Sequence, residues 1–87
     1  MDLTFHADPG HAWLEVPIVS LKEVDPELQY SHYSYRNGAN VYLEEDCDAP
    51  RFLRLANKHG IIVSITERYT DGEHHIRSFA PLDTTRL

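Results

Sequence analysis

Basic residues are scarce in this chain of 87 residues: Lys and Arg together number 8 against 14 Asp and Glu, a formal net charge of −6. Phosphate backbones are held by clustered Lys and Arg, so this balance disfavours direct nucleic-acid binding. Cysteine is reduced to Cys47, so no internal disulfide can form. No apolar run approaches the roughly 20 residues that a membrane helix needs, which removes membrane insertion from the reading. The opening MDLTFHADPG has neither the basic start nor the apolar stretch of a secretion signal, and a bacterial cytoplasm is the expected setting. A Gly-rich phosphate loop, G-x-S-x-G, H-E-x-x-H and a basic helix are also missing. No cofactor and no catalytic residue is assigned, and a non-enzymatic role is expected.

What is present suits one small globule. Hydrophobic residues make up 41% and charged residues 25%, close to the averages of globular domains. The expectation is a single domain over residues 1–87, with the tail PLDTTRL (81–87) loose. A chain this short buries only about 60 to 65% of its unfolded surface, so a deep pocket is not expected.

LTFHA and HAWLEV alternate apolar and polar residues on either side of the turn formers Pro9 and Gly10, which predicts a hairpin with Ala12, Leu14 and Val16 on one face. Ile18, Leu21 and Val24 form one stripe of a short helix behind Pro17, ended by Asp25-Pro26. In YSHYSYRNGANVYLEE, Asn37-Gly38 suits the two central positions of a type I′ turn. That register sets Tyr33 opposite Tyr42 and Tyr35 opposite Asn40. A second helix is predicted from Asp48, with Phe52, Leu53, Leu55, Ala56 and His59 inward, Arg51 and Arg54 outward, and Gly60 at its end. IIVSITERY and HHIRSF read as two final strands about Asp71-Gly72. The order ββαββαββ predicts an α+β fold, a small, mostly antiparallel sheet with two short helices packed on one face. A parallel crossover between Val41 and Ile65 is the alternative.

The densest chemical signal is Glu44-Glu45-Asp46-Cys47-Asp48, four carboxylates around the only thiol. Those carboxylates oppose ionisation of Cys47, which is therefore read as a small buried residue and not a nucleophile. Acids at a helix start satisfy its free N–H groups and its dipole, which accounts for Asp46 and Asp48 and less well for Glu44 and Glu45. The calcium-loop spacing D-x-D-x-D-G is absent. The surplus acid, with Tyr33, Tyr35 and Tyr42 beside Glu44, suits a surface for Arg-rich proteins, unless the tyrosine face lies under a helix. His6, Asp8 and His11 near one turn form the alternative, a small metal-binding protein or metal-dependent enzyme, although the close ligand pairs of zinc sites are missing. His74 and His75 on a strand would point to opposite faces.

TFHADPGHAWLEVP, YSYRNGANVYLEEDCDAP and FLRLANKHGIIV resemble a group of short proteins carried by bacteriophages, prophages and plasmids of proteobacteria. The resemblance spans roughly residues 3 to 66 and brings no established activity with it. It implies a setting in which small acidic proteins block host defence complexes, as anti-CRISPR proteins do. Residues 1–50 carry ten acids against Lys22 and Arg36, and residues 51–87 four acids against six bases, so the halves stand at −8 and +2. The expected partner is a host protein or ribonucleoprotein complex with a basic surface, contacted by Glu44, Glu45, Asp46, Tyr33, Tyr35 and Tyr42. A third reading is a structural or regulatory homodimer paired along an HHIRSF strand edge.

Overall fold

In the computed structural model, which describes residues Met1–Leu87, the alternation of the first hairpin becomes β1 (Asp2–Ala7) and β2 (Ala12–Pro17), paired antiparallel from Thr4–Glu15 to Ala7–Ala12. Pro17 ends the strand and caps α1 (Ile18–Val24), whose Leu21 and Val24 face inward. A three-residue strand β3 (Tyr35–Asn37) turns into β4 (Asn40–Glu44), which lies against β2. After β4 the chain forms α2 (Asp48–Lys58) and then β5 (Ser64–Tyr69), parallel to β1. The six-stranded sheet runs β5-β1-β2-β4-β3-β6, with β6 (Ala80–Pro81) on the outer side of β3.

This is an α+β fold with a mostly antiparallel sheet. Leu3, Leu14, Val16, Val41 and Leu43 project from one face into Leu21 and Val24 of α1 and Ala49, Phe52 and Ala56 of α2. Both helices therefore cover the same side. The crossover held as an alternative is the one that forms: β4, α2 and β5 lead past β2 and β1 to the far edge.

Several sequence expectations are corrected. The two-residue loop of the second hairpin is Gly38-Ala39, with Asn37 opposite Asn40, so Tyr35 instead of Tyr33 stands opposite Tyr42. Among the loop residues only Gly38 takes a positive φ, +61°, so one left-handed residue closes the turn where a type I′ loop needs two. A shift of two residues preserves the faces, which is why the pattern did not betray it. HHIRSF is not a strand: His75–Ser78 form a 3-10 turn, and His74 and His75 stack their rings 4.3 Å apart instead of pointing to opposite faces. The tail is not loose, since Leu82 is buried, its N–H donates to the Ser34 carbonyl at 2.8 Å, and Asp83 caps a turn at Thr84–Arg86. Arg51 does not simply face outward: its Nε donates to the Asp25 carboxylate at 2.7 Å and ties α2 to the end of α1.

Phe52 is fully buried where both helices meet the sheet. Phe52→Ala should cost about 3–5 kcal/mol of an unfolding free energy of roughly 5–15 kcal/mol, read as a lower urea midpoint by circular dichroism.

Candidate functional site

The second face of the sheet carries the chemistry. Cross-strand pairing sets His6 beside Trp13 and Trp13 beside Glu44, while Glu15 and Tyr35 flank Tyr42. These side chains alternate with the core residues and point away from the helices. Trp13, Tyr42 and Ile76 form a separate buried cluster, edged by Tyr35 and Phe79. The covering layer is the 3-10 turn, which supplies Ile76.

Asp8 holds that layer down. Its Oδ1 accepts the N–H groups of Gly10 and His11, each at 2.9 Å, which fixes the β1–β2 loop. Its Oδ2 accepts the His74 N–H at 3.0 Å, and Arg77 donates Nε and Nη2 to the two oxygens, also at 3.0 Å. The Arg77 guanidinium, then the His74 N–H, holds the Asp8 carboxyl far below the usual range, overcoming the opposing effect of burial. A Cβ on Gly10 would stand 3.1 Å from Arg77 Nη2, so glycine gives the guanidinium its room. The guanidinium carbon also lies 5.2 Å from the centre of the Trp13 ring.

Beside this clamp opens a cleft of about 510 Å³. It is lined by His11, Trp13, Tyr35 and Arg77 together with Ser31, Tyr33, Glu44, Asp46 and Cys47. It unites four of the six sequence-derived contact residues: Tyr33, Tyr35, Glu44 and Asp46. Tyr42 is outside it, 8% exposed, with its ring 5.0 Å from that of Phe79, so its part in a contact surface is withdrawn. Tyr33 precedes the strand instead of sharing the face, and is 71% exposed. Glu45 is exposed on the neighbouring surface.

The acids divide their work differently from the sequence reading. Glu44, not Asp46 or Asp48, caps the chain before α2: it accepts the N–H of Asp46 at 2.7 Å, of Cys47 at 2.7 Å and of Asp48 at 2.6 Å. The buried Asp48 carboxylate accepts the Ser31 N–H and the hydroxyls of Ser31 and Ser34, pinning the loop that carries Tyr33. The Asp46 and Glu45 carboxylates meet no guanidinium or ammonium of the chain; the ion pairs all lie elsewhere. Cys47 is exposed, contrary to the expected burial, because the turn before α2 projects it toward solvent.

His6, Asp8 and His11 do not converge as ligands. His6 Nε2 lies 2.7 Å from Glu15 Oε1, both Asp8 oxygens are occupied, and the His11 ring sits 6.0 Å from that of Trp13. No group of three or more His, Cys, Asp or Glu residues is placed to hold a metal ion. No helix is long and apolar enough to cross a membrane. Sequence reasoning missed Asp8 and Arg77 as a pair, along with Trp13; Arg77 lies 69 residues from Asp8, and only the return of the C-terminal segment across the sheet brings it to Asp8 and Trp13. Comparison with protein-family models, curated proteins and solved structures finds no match to this chain.

Burial, then the neighbouring His75 and His6, pushes the His74 imidazole below its ordinary value, and its Nδ1 accepts the Ile76 N–H in the neutral form. A depressed histidine penalises the fold once pH falls below the unfolded value of about 6.5, and the depressed Asp8 contributes stability that is lost below about 4. Unfolding midpoints should therefore decline in two stages on acidification. His74→Gln should flatten the upper stage and Asp8→Asn the lower, measured by urea titration from pH 8 to pH 2.

Proposed function

We propose that the protein is a non-enzymatic, acidic protein-binding module that occupies a basic, nucleic-acid-handling surface of a host complex, in the manner of an anti-CRISPR or other anti-defence inhibitor. The observation that carries the reading is the exposed edge where the aromatic cleft meets the unneutralised carboxylates of Glu45 and Asp46. The chain's own cations offer little opposition there. Arg77 is held by Asp8, Arg51 by Asp25, and Arg36 by the carbonyls of Gly38 and Arg86. A surface of this charge attracts the Lys and Arg that line nucleic-acid channels and competes with phosphate for them. Such a role would suit the phage and plasmid setting expected from the sequence.

Glu45→Lys with Asp46→Lys should weaken partner capture by at least about tenfold and leave the urea midpoint nearly unchanged, because neither side chain is used inside the fold. Glu44→Lys should lower stability by about 0.5–2 kcal/mol, the usual range for loss of a helix cap. Capture from bacterial lysate at low salt, followed by competition between the captured complex and its own nucleic acid, tests the assignment. Displacement of nucleic acid that fades as salt rises is expected. Recovery of no basic partner at low salt contradicts it.

A second reading, a homodimer, is favoured by β5. That strand lies at the sheet edge with all six residues exposed, and Ile62 and Tyr69 are 82% and 66% exposed. The β1 side takes the N–H groups of Ser64 and Thr70, so the alternation leaves those of Ile65, Glu67 and Tyr69 pointing outward. The edge is thus β5 and not HHIRSF. Light scattering at twice the chain's 10.1 kDa, returned to one chain by Glu67→Pro, supports this reading, and a monomer at millimolar concentration rejects it.

A further inference from the structure

We infer that the cleft between Trp13, Tyr33 and Tyr35 receives a single arginine side chain presented by a partner protein. The inference deepens the protein-binding reading and rests on it for the identity of the partner, although the cleft chemistry can be tested alone. Its volume of about 510 Å³ falls within the roughly 300–1,000 Å³ of small-ligand sites, enough for one long side chain and the backbone that presents it. Trp13, Tyr33 and Tyr35 supply aromatic wall, and the Tyr33 ring, stacked on His32 at 4.7 Å, is still 71% exposed, which leaves its other face to solvent. Planar aromatic faces left open in an acidic setting recognise cations by stacking.

Charge decides the sign of the occupant. Asp46 lines the cleft with a carboxylate that has no ion-pair partner in the chain, while Arg77, the only Arg or Lys in the wall, already gives Nε and Nη2 to Asp8. An anion would find the Arg77 charge already balanced by Asp8 and the unpaired Asp46 carboxylate opposing it. Glu44 contributes little attraction of its own, since three backbone N–H groups already share its oxygens. The productive contact is therefore stacking on tyrosine together with a hydrogen-bonded pair to Asp46.

Shape decides between the cations. A guanidinium is flat, weakly hydrated and forked, so it can stack on a ring and pair with a carboxylate at once, whereas an ammonium is a compact, strongly hydrated charge. The cleft already contains one example in Arg77, whose guanidinium lies over Trp13 while it pairs with Asp8. The arriving arginine repeats that arrangement with Tyr33 or Tyr35 and Asp46. Wild-type partners would then lose affinity on Arg→Lys substitution, although the charge is kept.

Trp13 is the only tryptophan and Cys47 the only cysteine, and both line the cleft, so occupancy can be followed by fluorescence and by the rate of Cys47 alkylation with iodoacetamide. The full chain is titrated with acetyl-Gly-Arg-Gly-amide, the lysine and trimethyllysine analogues, and the neutral citrulline analogue. The arginine peptide should give a saturable change in both signals, with affinity about tenfold above citrulline and severalfold above either lysine form. Tyr33→Ala and Asp46→Asn, both at exposed positions, should each weaken it by at least about fivefold. Equal responses to arginine and citrulline, no response, or preference for a lysine form overturns the inference. If partner capture survives both substitutions, the cleft assignment fails while the acidic-surface reading stands. If the arginine peptide binds as expected but no basic protein is captured, the cleft assignment stands and the wider function fails.

Discussion

Asp8 is the carboxylate on which the cleft-bearing face of the molecule depends. Its side chain is 1% exposed, and burial of such a charge is tolerated only when hydrogen bonds and an opposite charge replace lost water. Five donors do so: two from its own turn, and three from His74 and Arg77 at the other end of the chain. The consequence is topological. The C-terminal segment is drawn across the face of the sheet that the helices leave open, and Ile76 closes over Trp13 and Tyr42. With the segment in place, Arg77 becomes a wall of the cleft.

The same rule separates structural from available charge along the acidic run. Carboxylates that the fold needs are enclosed by donors: Glu44 by three N–H groups, Asp48 by two serines, and Asp25 by Arg51; burial is the largest single influence on Asp25 and raises it, but the surrounding hydrogen bonds and charge, those of Arg51 foremost, together keep that carboxyl low. Glu45 and Asp46 are left over, and they sit beside exposed aromatic surface. Adjacent residues of like charge thus have different work, set by which oxygens meet a donor. A surface built this way can change its charge with little effect on its own stability.

Much of the first 60 residues was legible because their patterns are local. The alternation of β1 and β2 about Asp8-Pro9-Gly10, the stripe of α1 ending at Asp25-Pro26 and the helix from Asp48 all appear where propensity and periodicity put them. The second hairpin was legible in kind but not in register, since a two-residue shift leaves every side chain on its original face. HHIRSF was misread because alternation is also what a short 3-10 turn under tertiary restraint can show; the restraint comes from Asp8, more than sixty residues away. For the site, the sequence named Tyr33, Tyr35, Glu44 and Asp46, while the contributions of Trp13 and Arg77 depend on long-range pairing. Tyr42 is buried by a covering segment that local pattern does not announce, and Cys47 is exposed on the turn that leads into α2.

The dependence of the cleft on Asp8 can be read most directly from amide hydrogen exchange at His74. If the carboxylate anchors the C-terminal segment as described, the His74 N–H should exchange nearly as slowly as the amides of β2 and β4, and Asp8→Asn should release it while those strands stay protected. Fast exchange at His74 in the unaltered chain would show that the segment is not held against the sheet, and the account of the cleft would be wrong.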